Sequence, residues 1–274
     1  MKIGLSTSLQ HNSPEEWADK LRQLGCECVV FPVDCTADAE TITRYAAAAE
    51  KESLQIAEVG IWRNAISLCE QERNQAMDFS INQLKLADRL RARCCVNVIG
   101  AVGERWDGAY AENFTKKTWN RAVRMIQEII DEAKPTHTYF TIEPMPWMYP
   151  TGPEEYAKLL EDVNRDRFAV HMDVINMINT PERYFFPEKF VEHCFALLGD
   201  RIRSCHIKDI LLRPEFTFQL QECACGEGTF CLERYAELAD QVDPNMPMII
   251  EHLHSDEEYI RSLKYVRNRL KAYM

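Results

Sequence analysis

Four acidic or imidazole side chains stand at the ends of short apolar runs in the second half of the chain, and together they have the chemistry of a metal site. Glu143 closes Tyr139-Phe140-Thr141-Ile142-Glu143, and Asp173 closes Val170-His171-Met172-Asp173. His206 sits in Ser204-Cys205-His206-Ile207-Lys208, and Glu251 closes Met248-Ile249-Ile250-Glu251. A charge at the end of an apolar strand that points inward costs on the order of several kcal/mol if it has no partner. Four in succession make a shared cation the simplest partner. Three carboxylates and one imidazole suit one hard or borderline divalent ion, Mn, Mg, Co or Zn, with positions left open for a chelating substrate.

The elements that must carry these residues alternate along the chain. Apolar runs rich in Val, Ile, Phe and Cys predict strands at Ile3 to Ser6, Cys28 to Val33, Gln55 to Gly60, Cys94 to Ile99, Thr138 to Glu143, Phe168 to Asp173, Ile202 to Lys208 and Met248 to Glu251. Stretches of helical period follow them. In the first, Ser13 is a cap, Pro14 suits the first helical position, Glu16 completes a capping box, and Gly25 ends the helix. Further helices are expected at about Asp38 to Glu52, Gln71 to Leu90, Lys116 to Ala133, Pro153 to Val163, Pro187 to Leu198, Leu232 to Gln241 and Asp256 to Ala272. Eight strand-helix units in 274 residues match the size of a single-domain (β/α)8 TIM barrel of the α/β class. No linker-like or low-complexity run divides residues 1–274. A doubly wound sheet would carry a Gly-rich turn after its first strand, and Ser6-Thr7-Ser8-Leu9-Gln10 has no glycine. The longest irregular stretches, Gly100 to Thr115 and Ile210 to Thr229, follow strands four and seven, on the face where barrel active sites are built.

Composition excludes some classes of function. With 32 Lys+Arg against 43 Asp+Glu the formal net charge is -11, which opposes binding to a nucleic-acid polyanion. The N-terminus turns polar by Gln10-His11-Asn12, too early for a signal peptide, and no apolar run is long enough to span a membrane. Eleven cysteines lack the spacing of a disulfide scaffold, so a reduced, cytoplasmic protein is expected. The Cys26/Cys28 and Cys223/Cys225 pairs are read as inert thiols at alternate strand positions.

The segments Thr141-Ile142-Glu143-Pro144, His171-Met172-Asp173-Val174-Ile175-Asn176, Cys205-His206-Ile207-Lys208-Asp209, Cys225-Gly226-Glu227-Gly228 and Ile249-Ile250-Glu251-His252 resemble the xylose isomerase-like TIM-barrel superfamily over nearly the whole chain. This superfamily includes sugar-phosphate isomerase/epimerases, ketose 3-epimerases, inosose dehydratases and hydroxypyruvate isomerases. The resemblance implies one divalent cation, often Mn, held by Glu143, Asp173, His206 and Glu251. It makes Glu143 and Glu251 the acid/base pair that exchanges protons with a small-molecule sugar or cyclitol. Proton abstraction beside a carbonyl needs an electrophile on the carbonyl oxygen, and a carboxylate on each face of the carbon allows epimerisation.

Other candidates surround this set. Lys208 shares strand parity with His206 and resembles a substrate-contacting lysine of the dehydratase-like branch; the alternative is a surface lysine. His171 shares parity with Asp173 and is either an orienting group or a core histidine. Asn176 stands where ketose 3-epimerases carry a substrate-binding histidine, a departure that together with Lys208 raises a metal-dependent lyase as the rival of an isomerase or epimerase. Such a lyase would act on a keto sugar, inosose or 3-oxo-glycoside, as inosose dehydratases and C-glycoside deglycosidase subunits do. Trp62, Trp106 and Trp147 are candidates for stacking on a sugar ring or an aglycone, and each could instead be a core or lid residue. Asn97 is a candidate donor to a hydroxyl. Gly226-Glu227-Gly228 could cradle a phosphate, but Glu227 opposes an anion there and favours an unphosphorylated substrate. Endonuclease IV shares the fold but uses a histidine-rich trinuclear zinc site, and this chain has only 7 His. A non-catalytic barrel, serving as a binding or partner subunit, is a third class, against which the complete ligand set argues; assembly as a homo-oligomer or with a partner subunit is left open by the sequence.

Overall fold

The computed structural model describes residues 1–7 and 9–271, so Ser8 and the expected helix end at Ala272 lie outside the described residues. The elements follow in order as β1 (Lys2–Leu5), α1 (Pro14–Leu24), β2 (Cys28–Val30), α2 (Ala39–Lys51), β3 (Gln55–Gly60), α3 (Glu70–Arg89) and β4 (Cys94–Asn97). Then come α4 (Lys116–Ala133), β5 (Phe140–Ile142), α5 (Pro153–Val163), β6 (Phe168–Met172), α6 (Val174–Met177), α7 (Pro181–Phe185), α8 (Pro187–Leu198) and β7 (Ile202–Ile207). The chain ends with β8 (Asp209–Leu212), β9 (Leu220–Cys223), α9 (Leu232–Val242), β10 (Pro247–Ile250) and α10 (Asp256–Arg269).

Eight of these strands close a parallel barrel in the order β1-β10-β7-β6-β5-β4-β3-β2. This is the expected (β/α)8 architecture in one domain. Helices cover the outside through apolar stripes at helical spacing. On α4, for example, Ala122, Met125, Ile126, Ile129 and Ile130 are buried. At α1, Ser13 Oγ accepts the amide of Glu16 at 3.1 Å as expected, but the Glu16 carboxylate reaches back to the amide of Asn12 (2.8 Å) instead of closing the box on Ser13. Gly25 ends the helix in the left-handed region at φ 91°, where a side chain is strained. Gly4 has another reason to be glycine: a Cβ there would collide with the carbonyl of Cys28 on the neighbouring strand. Among the described residues no helix is long and apolar enough to cross a membrane.

The expected strands are all present, but most end one or more residues early. Glu143, Asp173 and Glu251 each lie one residue beyond their strand, where the ladder has stopped and the side chains gather at the barrel mouth. The stretch Ile210 to Thr229, read from the sequence as irregular, instead contains the antiparallel hairpin β8-β9, with Asp209 opposite Cys223 and Leu212 opposite Leu220. Its seven-residue connection has no tight-turn signature, which is why the pairing was not legible. The short helices α6 and α7 were also not expected. Each is capped by a side chain, Asp173 for α6 and Thr180 for α7, and neither is long enough to show a period.

The lumen of the barrel is partly polar. Glu58 of β3 lies 3.5 Å from His171 Nδ1 of β6 and 3.3 Å from His206 Nε2 of β7, and Cys94 Sγ of β4 lies 3.1 Å from Ser204 Oγ of β7. These strands are not neighbours in the barrel, so the contacts cross its interior. All eleven cysteines are free thiols. Burial raises most of them, Cys94 and Cys205 to about 12, which keeps them inert.

Two helix tyrosines hold the strand ends that deliver the site. Tyr156 of α5 is fully buried, and its hydroxyl accepts the amides of Ile142 (3.2 Å) and His171 (3.3 Å) while donating to a strand carbonyl. Tyr235 of α9 donates to the carbonyl of Met172 at 2.8 Å. We expect Tyr156→Phe to lower stability by about 1–3 kcal/mol, because it removes the partner of buried backbone groups. Denaturant unfolding measures this, and a variant as stable as the wild type would show that the hydroxyl is dispensable.

Candidate metal and catalytic site

The structure brings Glu143, Asp173, His206 and Glu251 together at the C-terminal mouth of the barrel. One ligand atom from each lies within 4.8 Å of the others, and all four residues are buried. Glu143 and Glu251 come from β5 and β10, with β6 and β7 between them, so the two glutamates flank Asp173 and His206 along one arc. From His206 Nδ1, Glu251 Oε2 lies at 3.0 Å, Glu143 Oε2 at 3.7 Å and Asp173 Oδ2 at 3.8 Å.

Each side chain is held by its far side. Asp173 Oδ1 accepts the amide of Asn176 (3.0 Å), which leaves Oδ2 to face the cluster. Asn176 Nδ2 in turn donates to Glu143 Oε1 at 2.8 Å. Glu58 Oε2 lies 3.3 Å from His206 Nε2, so an N–H there turns Nδ1 toward the three carboxylates. Asp173 Oδ2 and His206 Nδ1 are buried, and their close neighbours are charged groups, Lys208 Nζ at 2.7 Å and Glu251 Oε2 at 3.0 Å. Buried ligand atoms that converge in this way with two more carboxylates fit a divalent cation, and the donor set is that of a hard or borderline ion.

Lys208 is buried in the middle of this acidic group. Its Nζ lies 2.6 Å from Glu251 Oε1, 2.7 Å from Asp173 Oδ2 and 2.8 Å from Glu222 Oε1, and His252 Nδ1 is 3.2 Å away. The inward parity expected of Lys208 is what the fold delivers. Glu222, on β9, and His252 complete a polar lid that the sequence reading missed; Glu222 belongs to the hairpin that was not expected.

Charge sets the protonation states. Burial pushes the Glu251 carboxyl upward, but His206 and Lys208 outweigh it and hold it well below the usual carboxylate range. Burial acts on Asp173 in the same way, and Lys208 with His206 brings it down. Glu143 goes the other way: burial and repulsion from Glu251 raise it well above the usual range. His206 is raised against its burial by Glu251, Glu58 and Glu143. Lys208 is raised against its burial by Asp173 and Glu251. Burial, with the charge of His206, lowers His171 to about 4, so it is neutral at neutral pH.

The remaining candidates divide. His171 is a lumen residue with Nδ1 2.6 Å from Ser204 Oγ and its ring 4.0 Å from that of His206, so it supports the cluster from below. Trp147 and Asn176 line a cavity of about 530 Å³ above the mouth, together with Glu222 and His252. Trp62 does not line it; it is partly exposed, at φ 53°, with its indole against Gly60. Trp106 packs against the core. Asn97 is fully buried, and both ends of its amide are engaged by the backbone of Arg63 (3.2 and 3.0 Å), so its work is to hold the turn after β3. The amides of Gly226 and Gly228 are taken by Asp209 Oδ2 (2.9 and 3.1 Å), which excludes a phosphate cradle in that loop. Glu58 was missed although it left a signal, a lone carboxylate inside Gln55-Ile56-Ala57-Glu58-Val59-Gly60.

Removing the ammonium strands at least two buried carboxylates. In chelator-treated protein we expect Lys208→Met to cost about 3–5 kcal/mol, and added Mn or Mg to restore more stability to the variant than to the wild type. Thermal unfolding with and without the ion measures both; equal stability without metal would show that Lys208 does not balance the cluster.

Comparison with known proteins agrees with this architecture. The family model of the xylose isomerase-like TIM barrel matches residues 18–269. No curated protein sequence matches the chain. Among solved structures, D-psicose 3-epimerase from Clostridium cellulolyticum H10, crystallised with D-tagatose, is 15% identical with a TM-score of 0.73, covering 100% of this chain and 99% of that one. The 3-keto-D-glucoside 4-epimerase from E. coli is 14% identical with a TM-score of 0.72, covering 98% and 99%. A xylose isomerase-like TIM barrel protein from Mycobacterium smegmatis in complex with magnesium is 14% identical with a TM-score of 0.70, covering 98% and 94%. At these identities the likeness is one of fold, and the match over residues 18–269 carries the assignment: the chain belongs to the xylose isomerase-like TIM barrel family.

Proposed function

We propose that this protein is a divalent-metal-dependent isomerase or epimerase that removes and returns a proton beside the carbonyl of a keto sugar or cyclitol. The observation that carries the reading is the buried tetrad of Glu143, Asp173, His206 and Glu251 at the ends of β5, β6, β7 and β10. The fold shared with two sugar epimerases and with a magnesium-bound relative supports it. The four residues would hold one ion, Mn by the family resemblance, with Mg, Co and Zn chemically acceptable. When bound, such an ion supplies a Lewis acid for the substrate oxygens.

The protein groups do the rest. Glu143 and Glu251, on opposite flanks of Asp173 and His206, are the acid/base pair that exchanges protons with the substrate. Asp173 and His206 anchor the ion. Lys208 and Asn176 position substrate oxygens, while Trp147 offers an aromatic wall. His171 supports His206 from the lumen.

A lyase reading rests on one specific feature. Lys208 places an ammonium 2.6 Å from Glu251, where it could protonate a leaving oxygen after the same first step. Product analysis separates the two: an epimer or isomer with solvent-derived hydrogen, against loss of water or an aglycone.

The purified chain is expected to bind about one equivalent of Mn, Co, Mg or Zn, and Asp173→Ala to lose it. Glu251→Gln should keep the fold and lose most proton exchange in heavy water, at least about a hundredfold. A chain that takes up no metal when supplied with it, or an active Glu251→Gln, defeats the reading. Because burial and neighbouring charge raise Glu143, and neighbouring carboxylates raise His206, above their usual ranges without the ion, metal uptake should displace protons, and affinity should fall as the pH is lowered. Calorimetry in buffers of differing ionisation enthalpy measures the release; uptake without proton release would contradict these assignments.

A further inference from the structure

Below the mouth, the lumen holds a second group of metal-binding side chains. One ligand atom from each of Glu58, His171 and His206 lies within 4.8 Å of the others, and all three residues are buried. Glu58 is 1% exposed, and among the described residues its ion-pairing neighbours are two imidazoles. Its Oε1 lies 3.5 Å from His171 Nδ1, and its Oε2 lies 3.3 Å from His206 Nε2. Donor atoms bonded to one ion at about 2.0–2.2 Å in a tetrahedral arrangement stand about 3.3–3.6 Å apart, which matches the spacing of these contacts.

His171 has one more ring nitrogen than the lumen has partners for. Ser204 Oγ lies 2.6 Å from Nδ1 and is itself 3.1 Å from Cys94 Sγ. Nε2 makes no hydrogen bond, although the residue is fully buried. An imidazole nitrogen left without a partner in a protein interior is unfavourable, and a bound ion is one way to satisfy the ring.

His206 belongs to both groups, but not through the same atom. Nδ1 faces Glu143, Asp173 and Glu251 at the mouth, whereas Nε2 faces Glu58 in the lumen. The donor sets also differ. Three carboxylates and one imidazole at the mouth accept hard ions; two imidazoles and one carboxylate in the lumen favour Zn or Co over Mg.

We infer that the lumen is a second cation site, in which the Glu58 carboxylate, His206 Nε2 and the His171 ring hold one Zn or Co ion behind the mouth. An ion there takes the place of the proton on His206 Nε2, so that His206 bridges the two sites. It balances the Glu58 charge and fixes the His206 ring from behind, whatever substrate the mouth accepts.

Metal counting on the full chain tests this. Chelator-treated protein is dialysed to equilibrium against excess Zn, Co or Mg, and the bound metal is measured by elemental mass spectrometry. Zn and Co should saturate at about two equivalents and Mg at about one. Glu58→Gln and His171→Asn should each lose one equivalent of Zn and keep the other, with the circular dichroism of the wild type, while Asp173→Ala keeps the lumen equivalent. Zn uptake that neither Glu58→Gln nor His171→Asn reduces overturns the inference, because the ions then lie elsewhere. Loss of all Zn in both variants also overturns it, because these residues then serve the mouth alone. Zn lost in Asp173→Ala and kept in Glu58→Gln and His171→Asn defeats the lumen site and leaves the proposed function standing. Zn kept in Asp173→Ala and lost in the other two establishes the lumen site and defeats the metal site of the proposed function.

Discussion

Four buried carboxylates, Glu58, Glu143, Asp173 and Glu251, share the mouth and lumen of one barrel, and their mutual repulsion is the constraint around which the rest of the site is arranged. In a low-dielectric interior such groups must be paired, protonated or bridged by a cation. All three solutions are visible. Lys208 pairs with Asp173 and Glu251, His206 sits among all four, and Glu143 is pushed toward its protonated form. A bound divalent ion would take over the role that the protons and the ammonium share in its absence.

Placing this much charge at one point requires a rigid frame. The frame is not made of the ligands themselves but of groups one contact further out. Tyr156 and Tyr235 reach in from α5 and α9 and secure the backbone just before Glu143 and Asp173. Glu58 holds the far nitrogen of His206, and Asn176 links the carboxylates of Asp173 and Glu143. Each of these contacts is cheap to form once the barrel has closed, because the strands already set the spacing.

The hairpin β8-β9 adds the features that distinguish this chain from a bare barrel. It contributes Glu222 to the polar lid over Lys208 and three apolar side chains to the chamber above. Asp209 anchors it: one carboxylate accepts the amides of Ile210, Gly226, Gly228 and Phe230, gathering both ends of the excursion. A single acidic residue at the start of β8 therefore organises the loop that shapes the cavity.

The alternation of short apolar runs with amphipathic stretches determined the barrel, because both periods are local properties of the chain. The inward direction of Glu143, Asp173, His206, Lys208 and Glu251 was also legible, since strand parity needs only a count of residues. Tertiary structure alone decided the rest. That Asn97 serves the Arg63 turn and not the cavity, that Asp209 takes the amides of Gly226 and Gly228, and that Glu58 meets His206 from the opposite wall are contacts between residues 17 to 148 positions apart, the last of them across the closed lumen. No local pattern encodes such a meeting. Position along a strand sets which way a side chain points, but the closure of the barrel sets what it finds there.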